Sequence, residues 1–216
     1  LLRSYRQKYF SDAGEHVVRN SFRRLGRTFI ELTKQKHIFV FLLAFFFYID
    51  GVYTIIDMAT AYGTSLGLNT TGLLLALLLT QIVAFPASLT FAVLSKTKDT
   101  ASLIKVAIIA YFLIALFAVQ LDKQWEFWIL AVAVGCFQGG IQALSRSYFA
   151  KIIPENASGE YFGLFDICGK GASFLGTMLI GVVTQITGKQ NIGVAALSIM
   201  FVIGYLIFNK VSKMDD

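Results

Sequence analysis

Six apolar stretches, at 38–62, 72–95, 102–121, 125–144, 161–185 and 191–208, fill nearly all of the chain after residue 36. A hydrocarbon core about 30 Å thick takes about 20 helical residues to cross, so each stretch is long enough to span a bilayer. No water reaches backbone N–H and C=O groups inside lipid, and only helices or closed barrels satisfy them all. The expected fold is all-α, a polytopic transmembrane helical bundle of six spans within residues 37–210. A basic segment, 1–36, precedes it and a short tail, 211–216, follows. The loops leave no room for another globular domain.

Charge placement excludes the ordinary meaning of a basic protein. The net charge is +6 with only 15% charged residues, and the cations flank the spans instead of forming a patch for nucleic acid. Segments 1–36, 96–105, 146–160 and 209–216 hold sixteen of the nineteen Lys and Arg residues, and the alternate loops hold only Lys123 and Lys189. The positive-inside rule then places both termini in the cytoplasm. In the first segment Phe22, Leu25, Phe29 and Leu32 recur at helical spacing among Arg19, Arg23, Arg24 and Arg27. That pattern fits an amphipathic helix at the headgroup layer, drawn there by anionic lipid; a solvated linker between two membrane halves is the plainer alternative. The chain starts at Leu1 and carries no signal pattern, which reads as the tail of a longer protein.

A weak three-plus-three repeat runs through the spans. In each half the first span is long and carries polar groups, whereas the third is short and nearly all aliphatic. A helix that is apolar all round faces lipid, but a polar face needs protein or water beside it. Nested inverted three-helix repeats of this kind occur in secondary transporters, with substrate sites near the midplane.

The intramembrane polar residues are the candidates for chemistry. Asp50 and Asp57 lie two helical turns apart in the first span, with Thr54 between them on the same face. A carboxylate in hydrocarbon is costly unless paired, hydrated or protonated, which suits a proton-coupling group. It equally suits a cap on a neighbouring broken helix, or a bond to a Tyr hydroxyl. In the fifth span Asp166 and Lys170 are four apart, so they are placed to pair on one helix face. Lys170 is also placed to bind a substrate carboxylate or to meet Asp50. Gln138 and Gln142 in the fourth span serve either a polar substrate or a neighbouring helix. Arg146 marks the cytoplasmic end of that span as a gate. Gly135-xxx-Gly139 and Ala172-xxx-Gly176 are spacings that let helices approach closely. Pro86 is expected to kink the second span, with Gln81 one turn earlier for freed backbone groups.

Other chemistries lack residues. His16 and His37 are far apart and without carboxylates, so no metal site is expected. Cys136 and Cys168 are intramembrane and lack a C-x-x-C pattern, so they read as free thiols. Nucleophile elbows, phosphate-binding loops and dinucleotide fingerprints are absent, so no cofactor and no enzyme activity are expected.

Three segments carry a resemblance: Phe47-Tyr48-Ile49-Asp50-Gly51-Val52-Tyr53-Thr54, Gln142-Ala143-Leu144-Ser145-Arg146-Ser147-Tyr148-Phe149-Ala150, and Gly159-Glu160-Tyr161-Phe162-Gly163-Leu164-Phe165-Asp166. From about residue 28 onward the chain resembles the vacuole-effluxer-like branch of the major facilitator superfamily. The resemblance implies the C-terminal half of a twelve-helix transporter whose N-terminal six-helix half is missing here. The first and fourth spans would line the cavity, and the third and sixth would face lipid. It also implies a small-molecule substrate, most plausibly a neutral amino acid, moved by efflux or proton-coupled exchange. The membrane would be the cell membrane in a bacterium and the vacuolar membrane in a fungus. The loop Leu94-Ser95-Lys96-Thr97-Lys98-Asp99 departs from the superfamily's gating-loop pattern and keeps only its basic character. A transporter of another solute class, such as a sugar or drug, and a non-transporting six-span scaffold both share the features read so far.

Overall fold

The computed structural model describes residues 35–154 and 158–214. The expected amphipathic helix of the first segment lies outside them. Seven helices carry the described chain: α1 (Lys36–Ser65), α2 (Thr70–Leu94), α3 (Thr100–Ala118), α4 (Gln124–Ile152), α5 (Ser158–Lys170), α6 (Phe174–Thr187) and α7 (Gln190–Ser212). With α5 and α6 counted as one broken span, they make six spans long and apolar enough to cross a membrane. The protein is a six-span helical membrane bundle.

Short side chains at the loops start the helices. Asn69 accepts the Gly72 N–H at 3.0 Å, and Asp99 accepts the Ser102 N–H at 2.8 Å and its hydroxyl at 3.0 Å. Each satisfies donors that would otherwise be orphaned in the first turn. Glu126 reaches back to the N–H groups of Asp122 and Lys123, fixing the entry to α4. Gly188 closes α6 in the left-handed region, at φ 68°.

Glycines set which helices meet. A Cβ at Gly135 would press on the α2 backbone, one at Gly139 on the Ser88 side chain and one at Gly140 on the Phe91 ring, so α4 and α2 are in close contact. Gly204 of α7 lies against the Tyr48 backbone of α1. Close approach of this kind replaces the hydrophobic driving force that lipid does not supply. The contacts follow an approximate two-fold pattern: α1 packs on α7 as α4 packs on α3, and α2 lies on α4 as α5 and α6 lie on α1. The two sides are unequal in one respect. α6 packs against α7, whereas α2 has no comparable contact with α3. α2 and the fifth span are the least buried, at 17% each against 61% for α1.

Three expectations need correction. The fourth helix runs to Ile152, beyond the expected end at 144, because Tyr148 and Phe149 are core residues, not interfacial ones. Phe149 stacks on Phe41 and Phe165, and Tyr148 packs on Phe41 and Phe208. The fifth span is interrupted at residues 171–173, where Ser173 takes φ 78°. Ala172 and Gly176 therefore do not share one continuous helix. Gln81 of α2, one turn before Pro86, is exposed instead of serving freed backbone groups.

Candidate functional site

Asp50 is the most buried ionisable group of the site, with 0% exposure in the middle of α1. Its Oδ2 accepts the Gly176 N–H at 2.8 Å. Asp50 therefore caps the start of α6, one of the alternatives its sequence position left open. The half-helix presents unpaired N–H groups and the positive end of its dipole to a carboxylate. Among the described residues Oδ1 has no hydrogen-bond partner, and neither does the buried hydroxyl of Thr54, one turn along α1. Gly176 sits directly against Thr54, where a Cβ would overlap the Thr54 side chain.

The other charged residues gather around a cleft beside the break. A cavity of about 400 Å³ is lined by Tyr53 and Asp57 of α1, Arg146 of α4, Asp166 and Lys170 of α5, and Ser173, with Phe45 and Phe165 among its walls. Twelve residues of α1 separate Phe45 from Asp57, so the cleft follows that helix for about 18 Å. Asp166 pairs with Arg146 at 2.5 Å and not with Lys170. The guanidinium also lies over the rings of Phe162 and Phe165, 5.7 and 5.6 Å from their centroids. An arginine fork prefers a carboxylate and aromatic faces to open solvent, and the fold brings both to it. The local spacing of Asp166 and Lys170 could not reveal this.

Lys170 and Asp57 are exposed to the cleft, and neither is hydrogen-bonded or ion-paired among the described residues. Gln138 and Gln142 lie outside the cavity lining. Both are half-buried on α4, and the Gln138 Oε1 is buried without a hydrogen-bond partner among the described residues. Asp50 and Asp57 therefore differ in role despite sharing a helix face: one is a dry cap, the other a wall of the cleft.

Two features went unread in the sequence. Tyr48, fully buried, donates to Ser145 at 2.6 Å, and the Ser145 hydroxyl donates in turn to the Ile141 carbonyl. Tyr53 lies within electrostatic reach of Arg146, Asp166 and Asp57, which makes it a member of the cleft. A second groove, about 240 Å³ between α3 and α7, is lined by Ile108, Phe112, Phe201 and their neighbours and carries no charge. The charged cleft is the candidate site.

The family model described as vacuole effluxer Atg22-like matches residues 1–214. The chain belongs to this family. Among its relatives, an MFS-type transporter, YxiO of Bacillus subtilis, is 44% identical over 207 residues, covering 96% of this chain and 48% of the relative. Autophagy-related protein 22-2 of Aspergillus niger is 25% identical over 204 residues, covering 87% and 34%. Autophagy-related protein 22 of Eremothecium gossypii is 29% identical over 207 residues, covering 90% and 41%. The chain thus spans about half the length, or less, of these vacuole effluxer-like relatives. The aligned stretches include the charged cleft and the broken span of this family member.

Proposed function

We propose that the chain forms half of a secondary active transporter of the major facilitator type, moving a neutral amino acid by efflux or proton-coupled exchange. The observation that carries this reading is the charge balance of the cleft. Arg146 and Asp166 satisfy each other, leaving one cation, Lys170, and one anion, Asp57, on the walls of the same cavity. A zwitterion offers a carboxylate to the first and an ammonium to the second. Phe45, Phe165 and Tyr53 supply apolar surface for its side chain. In this reading Lys170 and Asp57 bind substrate, and the Arg146–Asp166 pair closes the cleft towards the basic end. Asp50 carries the coupling proton, and Gln138 and Gln142 face a polar group in another state. The relatives' names, which are those of an MFS-type transporter and of autophagy-related proteins, support the transporter class.

The charge distribution supports cytoplasmic termini, with the basic segment 1–36 against anionic lipid. A second six-helix half completes the cavity, and the cell membrane fits a bacterial host such as that of YxiO. The test is counterflow in proteoliposomes of the complete transporter, this chain together with its second six-helix half, using neutral amino acids, a hexose and a lipophilic cation. Uptake of a neutral amino acid that is lost in Lys170→Ala supports the reading. Uptake of the sugar or the cation alone moves the protein to another solute class. No uptake of any probe favours a scaffold.

A further inference from the structure

The broken fifth span sits between two packing partners. α5 is held to α1 and α4 by rings: Phe165 stacks on Phe45 at 4.1 Å and on Phe149 at 4.9 Å, and Phe162 meets Phe149 edge-on. α6 packs instead on α7 and on α1. Gly171, Ala172 and Ser173 join the two, with Ser173 in the left-handed region that a side chain disfavours. Ala172 and Ser173 line the cleft, and within one turn the Gly176 N–H is bound to Asp50. One short segment thus forms cavity wall on one side and a carboxylate-capped helix end on the other.

Asp50 is poorly matched to a permanent charge. One oxygen is capped, but the other has no hydrogen-bond partner among the described residues, at 0% exposure. A buried unpaired anion is among the costliest groups a fold can hold. Few charges around it compete. α6 and α2 carry no ionisable side chain. α5 brings Lys170, in the cleft, and Asp166, already paired with Arg146 of α4. On α1, Tyr48 is bonded to Ser145, and Tyr53 and Asp57 line the cleft. Tyr111 of α3 stacks on Phe201, and Tyr205 of α7 lines the groove between α3 and α7.

We propose that Asp50 is a coupling latch: as a carboxylate it caps α6 and fixes the break, and on taking up a proton it loosens the cap and frees the Ala172–Ser173 wall of the cleft. The proton goes onto Oδ1, the unpartnered oxygen. Oδ2 then offers a neutral acceptor to the Gly176 N–H, and a bond to a charged acceptor is about twice as strong as one to a neutral acceptor. The helix dipole loses its counter-charge in the same step. By linkage, a substrate that holds the wall in place favours the carboxylate and lowers the affinity of Asp50 for its proton, and one that needs the wall free raises it. The latch gives a structural route for the coupling proposed above and rests on that reading for its use in transport.

The test is hydrogen–deuterium exchange of the peptide covering residues 171–178, on the purified protein in nanodiscs without substrate, divided by the intrinsic rate at each pH. The latch predicts wild-type exchange that rises about tenfold from about pH 8 to about pH 5, a change of about 1.4 kcal/mol. Asp50→Asn keeps a capping oxygen but never a charge, so it exchanges fast at both pH values. Asp50→Ala, with no cap, exchanges faster still. Wild-type exchange that is flat with pH, or Asp50→Asn that matches the wild type, overturns the latch. Should Asp50→Asn fail to fold, the wild-type profile decides alone. Because no substrate is present, a protein with the predicted exchange profile but no uptake refutes the transport reading and leaves the latch standing. A flat profile with active uptake does the reverse.

Discussion

Arg146 is the residue on which the cleft's charge balance turns. Its pair with Asp166 is open to solvent in this half, at 58% and 45% side-chain exposure. Exposed pairs contribute about 0–1 kcal/mol, so little of the fold's stability rests on this one, and the proposed reading gives it a role in access to the cleft. Arg146→Ala and Asp166→Asn are each expected to leave the thermal midpoint nearly unchanged while lowering uptake. The exchanged pair Arg146→Asp with Asp166→Arg should recover part of the uptake. Tyr48 behaves oppositely. Tyr48→Phe removes the bond to Ser145, but Ser145 keeps its bond to Ile141, so no donor is orphaned. A loss of about 1 kcal/mol is expected, visible in a melting curve, with uptake intact. Sequence singled out Asp50, Asp57, Asp166 and Lys170 as polar groups within apolar spans, and the helices that carry them are long and apolar enough to cross a membrane. It could not assign their partners, because Arg146 is twenty residues from Asp166 and Gly176 is 126 from Asp50. Such pairings depend on how helices assemble, which helix-face periodicity does not encode.

At the scale of the element, the spans were readable from hydropathy, but the break in the fifth was not. Gly169 and Gly171 flank Lys170 in an apolar run, and membrane helices tolerate glycine where neighbours re-satisfy the backbone. Ser173 at φ 78° marks the interruption only in three dimensions. Ser173→Gly removes the Cβ penalty of that conformation and adds unfolded-state entropy, for a net gain of about 0.5–1 kcal/mol. The check is a raised melting midpoint. Gly176→Ala drives a methyl into Thr54 and should cost about 1–3 kcal/mol; adding Thr54→Ala should recover part of it. α3 offers a pH test at its start. Burial pushes the Asp99 carboxyl up, but the Ser102 N–H and hydroxyl, the Ala101 N–H and Lys105 together outweigh it, leaving it below the usual carboxylate range. A group depressed in the folded state adds stability above its unfolded value and loses it as pH falls through the folded one. Asp99→Ala should therefore cost about 1 kcal/mol near neutral pH. The gap from wild type should close as pH drops below about 4, as melting curves of both proteins will report.

For the whole molecule, the unequal burial of the helices matches the half-length relation to the family. α1, the most buried helix, carries the cap and one wall of the cleft, while α2 and the fifth span keep broad apolar faces. On the proposed reading a second six-helix half covers part of those faces. The proposed orientation rests on the flanking cations, and a membrane-impermeant thiol reagent checks it. Cysteine at Lys98 should react only from the cytoplasmic side, and cysteine at Lys189 only from the opposite side. The account's central claim is that Lys170 and Asp57 hold the two ends of one zwitterion. Equilibrium binding of a labelled neutral amino acid, with competition by the amine lacking its carboxylate and the acid lacking its ammonium, tests that claim most directly. The account predicts that each stripped analogue competes about 10–100-fold more weakly, as loss of a charged hydrogen bond worth about 1.5–3 kcal/mol requires. It also predicts that Lys170→Ala abolishes the preference for the carboxylate while sparing that for the ammonium. If both analogues bind as well as the amino acid, or if Lys170→Ala and Asp57→Asn leave the preferences unchanged, the cleft does not read charge at both ends and the account is wrong.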